Sequence, residues 1–293
     1  AFAGRRVVAV SAGGAHSFAI TADGAVWSWG LGAFGRLGHG DQQRQLLPKK
    51  VEAFAGQYVI AVSAGAFHSM AITADGAVWS WGGGYIAMLG YGDQQRQLLP
   101  KKVEAFAGQR VVAVSAGGMH SLALTADGAL WSWGAGAFGH LGHGDEQNQL
   151  LPKKVEALAG QRVVAVSAGA RHSLALTADG AVWSWGDGDY GKLGHGNEQI
   201  QLLPKEVEAL AGRRIVAVSA ADSHSIALAA DGAVWSWGDG GDGQLGHGDQ
   251  QSQLLPKKVE AFAGQRVVAV SAGYAHSLTI TSDGAAWGWG DGW

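Results

Sequence analysis

Apolar and polar residues alternate along this chain in short runs that return at a fixed interval. Val7-Val8-Ala9-Val10-Ser11-Ala12 comes back at 111–116, 163–168 and 267–272, with close variants starting at Val59 and Ile215. His16, His68, His120, His172, His224 and His276 stand 52 residues apart (68 − 16 = 52, and likewise to the end). No insertion or deletion breaks the register. A period of this length marks one supersecondary unit that buries its apolar face only against a neighbouring copy. The expectation is a single repeat domain over 1–293, with copies beginning near 1, 53, 105, 157, 209 and 261.

Each unit reads as four short strands. The first is Pro48 to Phe54, closed by Ala55-Gly56. A helix is the alternative for this Lys-Lys-Val-Glu-Ala-Phe-Ala-Gly stretch, which is short, Pro-led and Gly-ended. The second strand, Tyr58 to Ser63, is rich in β-branched residues. His68 to Thr73 is the third, and the turn Ala74-Asp75-Gly76 leads to the fourth, Ala77 to Gly82. Asp-Gly between two alternating runs is a hairpin signal, because Gly accepts the positive φ that tight turns require.

Four strands per unit at one period predict an all-β propeller of six four-stranded blades, with an incomplete seven-bladed propeller as the alternative. Phased this way, the chain holds six copies of strands two to four and five Pro-led strands. The first blade would then lack its first strand, of which Ala1-Phe2-Ala3-Gly4 is the remnant.

Composition narrows the class. Gly is 48 of 293 residues and Pro only 5, so the glycine marks turns rather than a collagen-like or proline-rich segment. Charged residues are 15%, well below the usual quarter, so Ser, Thr, Gln, Gly and backbone cover much of the surface. A net charge of −3 offers no broad basic footprint for nucleic acid. The absence of Cys removes disulfides, thiolate metal sites and cysteine nucleophiles, and fits an intracellular, reducing compartment. No apolar run reaches the roughly 18 residues of a membrane helix, so no membrane partner is expected. The chain starts at Ala1 without an initiator Met or signal-peptide pattern, as a processed or excised segment would.

One set of motifs resembles the regulator of chromosome condensation repeat family. It comprises Trp29-Gly30, Gly35-Arg36-Leu37-Gly38-His39-Gly40-Asp41, the Pro48-led strand, Val59 to Val62, and Gly65-Ala66-Phe67-His68-Ser69. The resemblance covers essentially the whole chain and implies a propeller, seven-bladed in most of that family. It also implies several functions. Some members are nucleotide-exchange factors for the small GTPase Ran that dock on chromatin. Others are substrate-binding modules of ubiquitin ligases, a plant UV-B photoreceptor, or bacterial β-lactamase inhibitors. The basic tail associated with chromatin docking and a ligase domain are both missing from this sequence. The photoreceptor's light-sensing Trp corresponds to Gly14, Ala66, Gly118, Ala170, Asp222 and Tyr274, so that mechanism is not expected.

The Trp pairs Trp27/Trp29, Trp79/Trp81, Trp131/Trp133, Trp183/Trp185, Trp235/Trp237 and Trp287/Trp289 each share one strand face and are expected to fill the space between blades. The six period-spaced His residues should lie too far apart for one metal and are expected to bond neighbouring backbone. In the Leu-Gly-His-Gly turn, Tyr91 stands where other copies carry His39, His143, His195 and His247, a swap that a metal role would not readily survive. No Gly-x-Ser-x-Gly elbow, P-loop or metalloprotease motif is present. No catalytic residue, cofactor or metal is therefore expected.

Copies of a nearly frozen unit differ at two places. One is the pair before each His, such as Ala66-Phe67; the other is the loop after each Trp-Gly. A weaker third comprises Arg44, Arg96, Asn148, Ile200 and Ser252. Loops on a packed scaffold are where binding residues concentrate. The candidate partner contacts are Phe34, Arg36, Phe67, Tyr85, Ile86, Met88, Met119, Phe138, His140, Arg171, Asp187, Asp189, Tyr190, Asp222, Asp239, Asp242 and Tyr274. Early copies contribute aromatic and apolar side chains, later copies Asp. The Asp groups could instead hold Ca²⁺, and drift in tolerant loops is the bland alternative. The expected function is a non-catalytic protein-interaction scaffold using loops on one propeller face, with a small GTPase or a ubiquitin-pathway substrate as partner. A nucleotide-exchange factor and a partnerless repeat product are the rivals.

Overall fold

The structure, a computed structural model, describes residues 2–292. It is all-β, with short 3₁₀ turns. The first blade comprises β1 (Val7–Ala12), β2 (His16–Thr21), β3 (Val26–Gly30) and β4 (Gln45–Lys50), paired antiparallel in that order. The second comprises β5 (Val59–Ala64), β6 (His68–Thr73), β7 (Val78–Gly82) and β8 (Gln97–Lys102). Three further four-stranded sheets follow in chain order, and a three-stranded one is built from Val267–Ala272, His276–Thr281 and Ala286–Gly290. The six-blade propeller class is thus the observed one.

The sheets differ in phase from the expectation. The Pro-led strand is the fourth strand of the preceding blade, not the first of the next, so the first blade has all four strands and the last has three. The strand also starts earlier, at Gln45, and Glu52–Phe54 is a 3₁₀ turn. Pro48 fits here because β4 is an edge strand, where a missing N–H is tolerated.

The chain divides into two compact units. One runs up to Gly136 and includes Gln147–Val155; the other holds Ala137–Glu146 and Glu156 onward. In the first unit, Phe18, Ile20 and Val26 of one blade meet Trp81, Ala71 and Val59 of the next, with Val51 and Phe54 of the connector between them. In the second unit, Leu174, Leu176 and Val182 meet Trp237, Ala227 and Ile215 in the same way. Each core is therefore a junction between blades, as a single sheet cannot cover both its own faces. Leu278 and Ile280 of the three-stranded sheet are exposed, while their equivalents Leu174 and Leu176 are buried.

The inner Trp pairs fill the space between blades as expected, whereas Trp287 of the last pair is exposed. Trp81 is fully buried, and its ring meets Phe18 and Phe54 at centroid distances of 5.6 and 5.7 Å. Trp79, two residues earlier on the same face, packs edge-on against Phe54 at 5.7 Å. Truncating such a ring costs about 3–5 kcal/mol.

Candidate functional site

The loops after the first five Trp-Gly steps staple one blade to the next. In the first copy the Arg36 carbonyl accepts both Trp81 Nε1–H and Ser69 Oγ–H, each at 2.8 Å. Trp133 and Ser121 meet the Met88 carbonyl in the same way, at 2.9 and 2.8 Å. Gly82, at φ 108°, closes the strand ahead of the second loop; a Cβ there would meet the Phe67 carbonyl oxygen at 2.8 Å. The loop is thereby fixed at both ends.

His16 Nε2 lies 2.8 Å from Ser69 Oγ, and the pattern repeats for His68–Ser121, His172–Ser225 and His224–Ser277. The repeated His thus bonds a serine hydroxyl on the next blade, not backbone directly. Each of those serines donates its one proton to a loop carbonyl, so the imidazole must donate through Nε2–H. Burial, with smaller contributions from Arg36 and His68, pushes His16 down to about 3; burial alone brings His68 to about 3. A Ser–His pair in which the imidazole is the donor and the serine proton points elsewhere has no route to a serine alkoxide.

The Leu-Gly-His-Gly position is structural as well. Ser28 Oγ donates to the Leu37 carbonyl at 2.8 Å and lies 3.0 Å from His39 Nε2. In the second copy Tyr91 Oη takes the imidazole nitrogen's place, 2.8 Å from Ser80 Oγ. Among the described residues no group of three or more His, Asp or Glu side chains is placed to hold a metal ion.

The copy-variable side chains fall into three groups. Arg36, Met88, His140 and Asp187 are buried, and Ile86, Phe34, Phe67, Phe138, Asp222 and Asp239 half-buried. Tyr85, Met119, Arg171, Asp189, Tyr190, Asp242 and Tyr274 are exposed. The buried group occupies loop positions that variation alone made look like surface. Arg36, Met88, His140, Lys192 and Gln244 are equivalent residues, all at most 4% exposed. Lys192, a residue the sequence reading passed over, is buried against Asp187, Nζ to Oδ2 2.6 Å.

Within the first unit, Phe34, Phe67 and Tyr85 come together. Their centroids lie 5.9 Å (Phe34–Phe67), 5.8 Å (Phe34–Tyr85) and 5.8 Å (Phe67–Tyr85) apart. The Arg36 guanidinium sits 5.4 Å from the Phe34 ring and 5.7 Å from Phe67, and Arg96 lies 5.4 Å from Phe34. Arg36 donates to the Ala33 and Ala66 carbonyls, and burial lowers its pKa. Arg96 donates to Gln42 Oε1, which also accepts the Phe34 N–H.

In the second unit Arg171 stacks over Phe138 at 5.1 Å. Asp239 Oδ1 accepts Gly241 N–H, Asp222 Oδ2 accepts Ser223 Oγ–H, and Asp187 Oδ1 accepts Asp189 N–H. Phe34, Phe138 and Tyr190 share one further property: each holds a left-handed backbone, φ 61–63°. An aromatic residue there carries strain of about 1 kcal/mol, and such strain clusters at binding sites.

Known proteins bear on this site. A family model for the regulator of chromosome condensation (RCC1) repeat matches residues 23–72, 75–124, 127–176, 179–228 and 231–280. A second model of the same description matches 7–36, 111–139, 163–192 and 215–244. The chain is 40% identical over 295 residues to the human E3 ubiquitin-protein ligase HERC2, covering 99% of this chain and 6% of that protein. It is 38% identical over 287 residues to the Arabidopsis thaliana ultraviolet-B receptor UVR8, covering 98% of this chain and 65% of the receptor. The chain thus spans less than two thirds of either relative. Among solved structures, yeast RCC1 (Prp20) bound to Kap60 matches with a TM-score of 0.84 at 26% identity, over 97% of this chain and 70% of that one.

Proposed function

The chain belongs to the regulator of chromosome condensation (RCC1) repeat family, and on that premise we propose that it is a non-catalytic protein-binding module whose copy-variable loops contact the partner. The observation that carries this reading is the contrast between frozen and variable positions. The His–Ser bonds, the Trp rings and the loop carbonyls repeat from blade to blade. The aromatic and acidic side chains hung on those loops do not repeat. Clustered aromatics beside arginine are the usual anchors of protein interfaces.

Relatives support a protein partner. Prp20 is described bound to Kap60 and with binding properties toward Gsp1p and histones. A small GTPase or a ubiquitin-pathway substrate is the partner class proposed for this chain. Because Prp20 is one of the structural relatives, nucleotide exchange is the alternative worth measuring. We expect the chain to leave release of labelled GDP from a small GTPase unaccelerated.

The test is affinity capture by two versions of the chain. In one, every pre-His pair and post-Trp-Gly loop is native; in the other, each is set to one common copy. A partner held by the native version and lost by the other supports the reading. Equal capture by both, or none by either, rejects it.

A further inference from the structure

Two blades of this molecule bury a cation at the same loop position, and they treat its charge differently. In the fourth blade Lys192 is paired with Asp187 at 2.6 Å, both side chains being at most 4% exposed. In the first blade the equivalent of Lys192 is Arg36 (192 − 156 = 36), also 4% exposed, and the equivalent of Asp187 is Leu31 (187 − 156 = 31). Arg36 satisfies two of its N–H groups on carbonyls, but neither it nor Arg96 has a carboxylate partner among the described residues. Both guanidinium groups lie over the Phe34 ring. A buried cation without a counter-charge is costly, and here it sits beneath three mutually packed aromatic rings, one of which, Tyr85, is 43% exposed.

We propose that Phe34, Phe67 and Tyr85, with Arg36 at their base and Arg96 at their edge, form a docking site for an acidic peptide segment of a partner protein. The segment would present an Asp or Glu carboxylate to the exposed Arg96 guanidinium, where the uncompensated charge of the buried Arg36 adds to the attraction, and a neighbouring apolar or aromatic side chain to the rings. The proposal rests on the protein-binding reading and adds the partner's chemistry. Arginine favours planar carboxylate recognition, and the flanking rings would shield the new pair from water. The internal Asp187–Lys192 pair is the chain's own version of the contact that the first blade lacks.

The probe is a fluorescein-labelled octapeptide pool with Asp or Glu at four positions, Phe and Leu at two, and Gly at the ends. The control pool replaces each Asp and Glu with Asn or Gln. Fluorescence anisotropy on the full chain should give saturable binding to the acidic pool and, because a charge-assisted contact is lost, at least about tenfold weaker binding to the control. Leu31→Asp builds the internal counter-charge and should weaken the acidic pool about tenfold while leaving the thermal midpoint unchanged or higher. Arg36→Met, which copies the residue of the second blade, should do the same to binding. If Arg36→Met does not fold, Leu31→Asp decides.

Equal binding of the two pools, no binding of either, or indifference to Leu31→Asp overturns the proposal. If capture of a partner by the native loops persists in any of those cases, only the acidic-segment chemistry fails. If capture is absent as well, the protein-binding reading fails with it. Self-association of the chain that competes with the pool, seen by sedimentation, would assign the site to a second copy and also overturns the proposal.

Discussion

His68 Nε2 lies 2.8 Å from Ser121 Oγ, 53 residues further along the chain and on the next blade, and Ser121 passes its own proton to the Met88 carbonyl. All three groups are buried. Removing the hydroxyl strands the buried imidazole N–H and takes one of two donors from the Met88 carbonyl, which keeps Trp133 Nε1–H. Ser121→Ala should therefore destabilise the protein by about 2 kcal/mol, read as a lower urea midpoint with an unchanged slope.

The same bonds set a pH limit. Burial, the main cause, holds His16 and His68 near 3 and His224 near 4, and pushes His172 well down, against an ordinary value of 6.5. The folded pKa lies below the unfolded one, so between them the unfolded chain binds more protons. Stability should be flat above pH 6.5 and fall steadily from there toward pH 3. Urea midpoints at pH 8, 7, 5.5 and 4.5 check this, and an equal midpoint at pH 8 and 4.5 would contradict it.

Asp187 and Lys192 supply a third test. Asp187→Ala leaves a buried ammonium without its counter-charge and should cost about 3–5 kcal/mol. The double variant Asp187→Ala/Lys192→Met, with the methionine that the second blade uses at Met88, should regain most of that loss. A thermodynamic cycle on the two sites would measure the coupling.

Tyr190 combines a left-handed backbone with 49% exposure, so it forfeits little packing if removed. Tyr190→Gly should raise stability by about 1 kcal/mol and weaken partner capture. Higher stability with unchanged capture would take Tyr190 out of the binding set.

Much of this architecture is legible in the residues. The period, the Asp-Gly hairpins and the paired Trp residues specify six similar sheets, because each reports on local geometry. The phase of the sheets is not, since a strand's sequence does not say which neighbour it pairs with. The Pro48 strand pairs backward, through Lys49 with Ser28 and Lys50 with Trp27, and its proline already marks an edge. Burial of the variable positions was hidden for another reason. At Arg36 and Met88 the constant task belongs to the backbone carbonyl, which leaves the side chain free to vary inside the protein. The Phe34–Phe67–Tyr85 cluster joins a pre-His residue to two loops, a juxtaposition that only the fold makes.

The central claim, that binding uses the variable loops on an invariant scaffold, is tested most directly by amide hydrogen exchange of the chain with and without a captured partner. The account predicts new protection in the post-Trp-Gly loops and pre-His pairs, strongest around residues 31–36, 66–67 and 83–88. Protection confined to the edge strands that carry the exposed Leu46, Leu47, Leu99 and Leu151, with the loops unchanged, would contradict it.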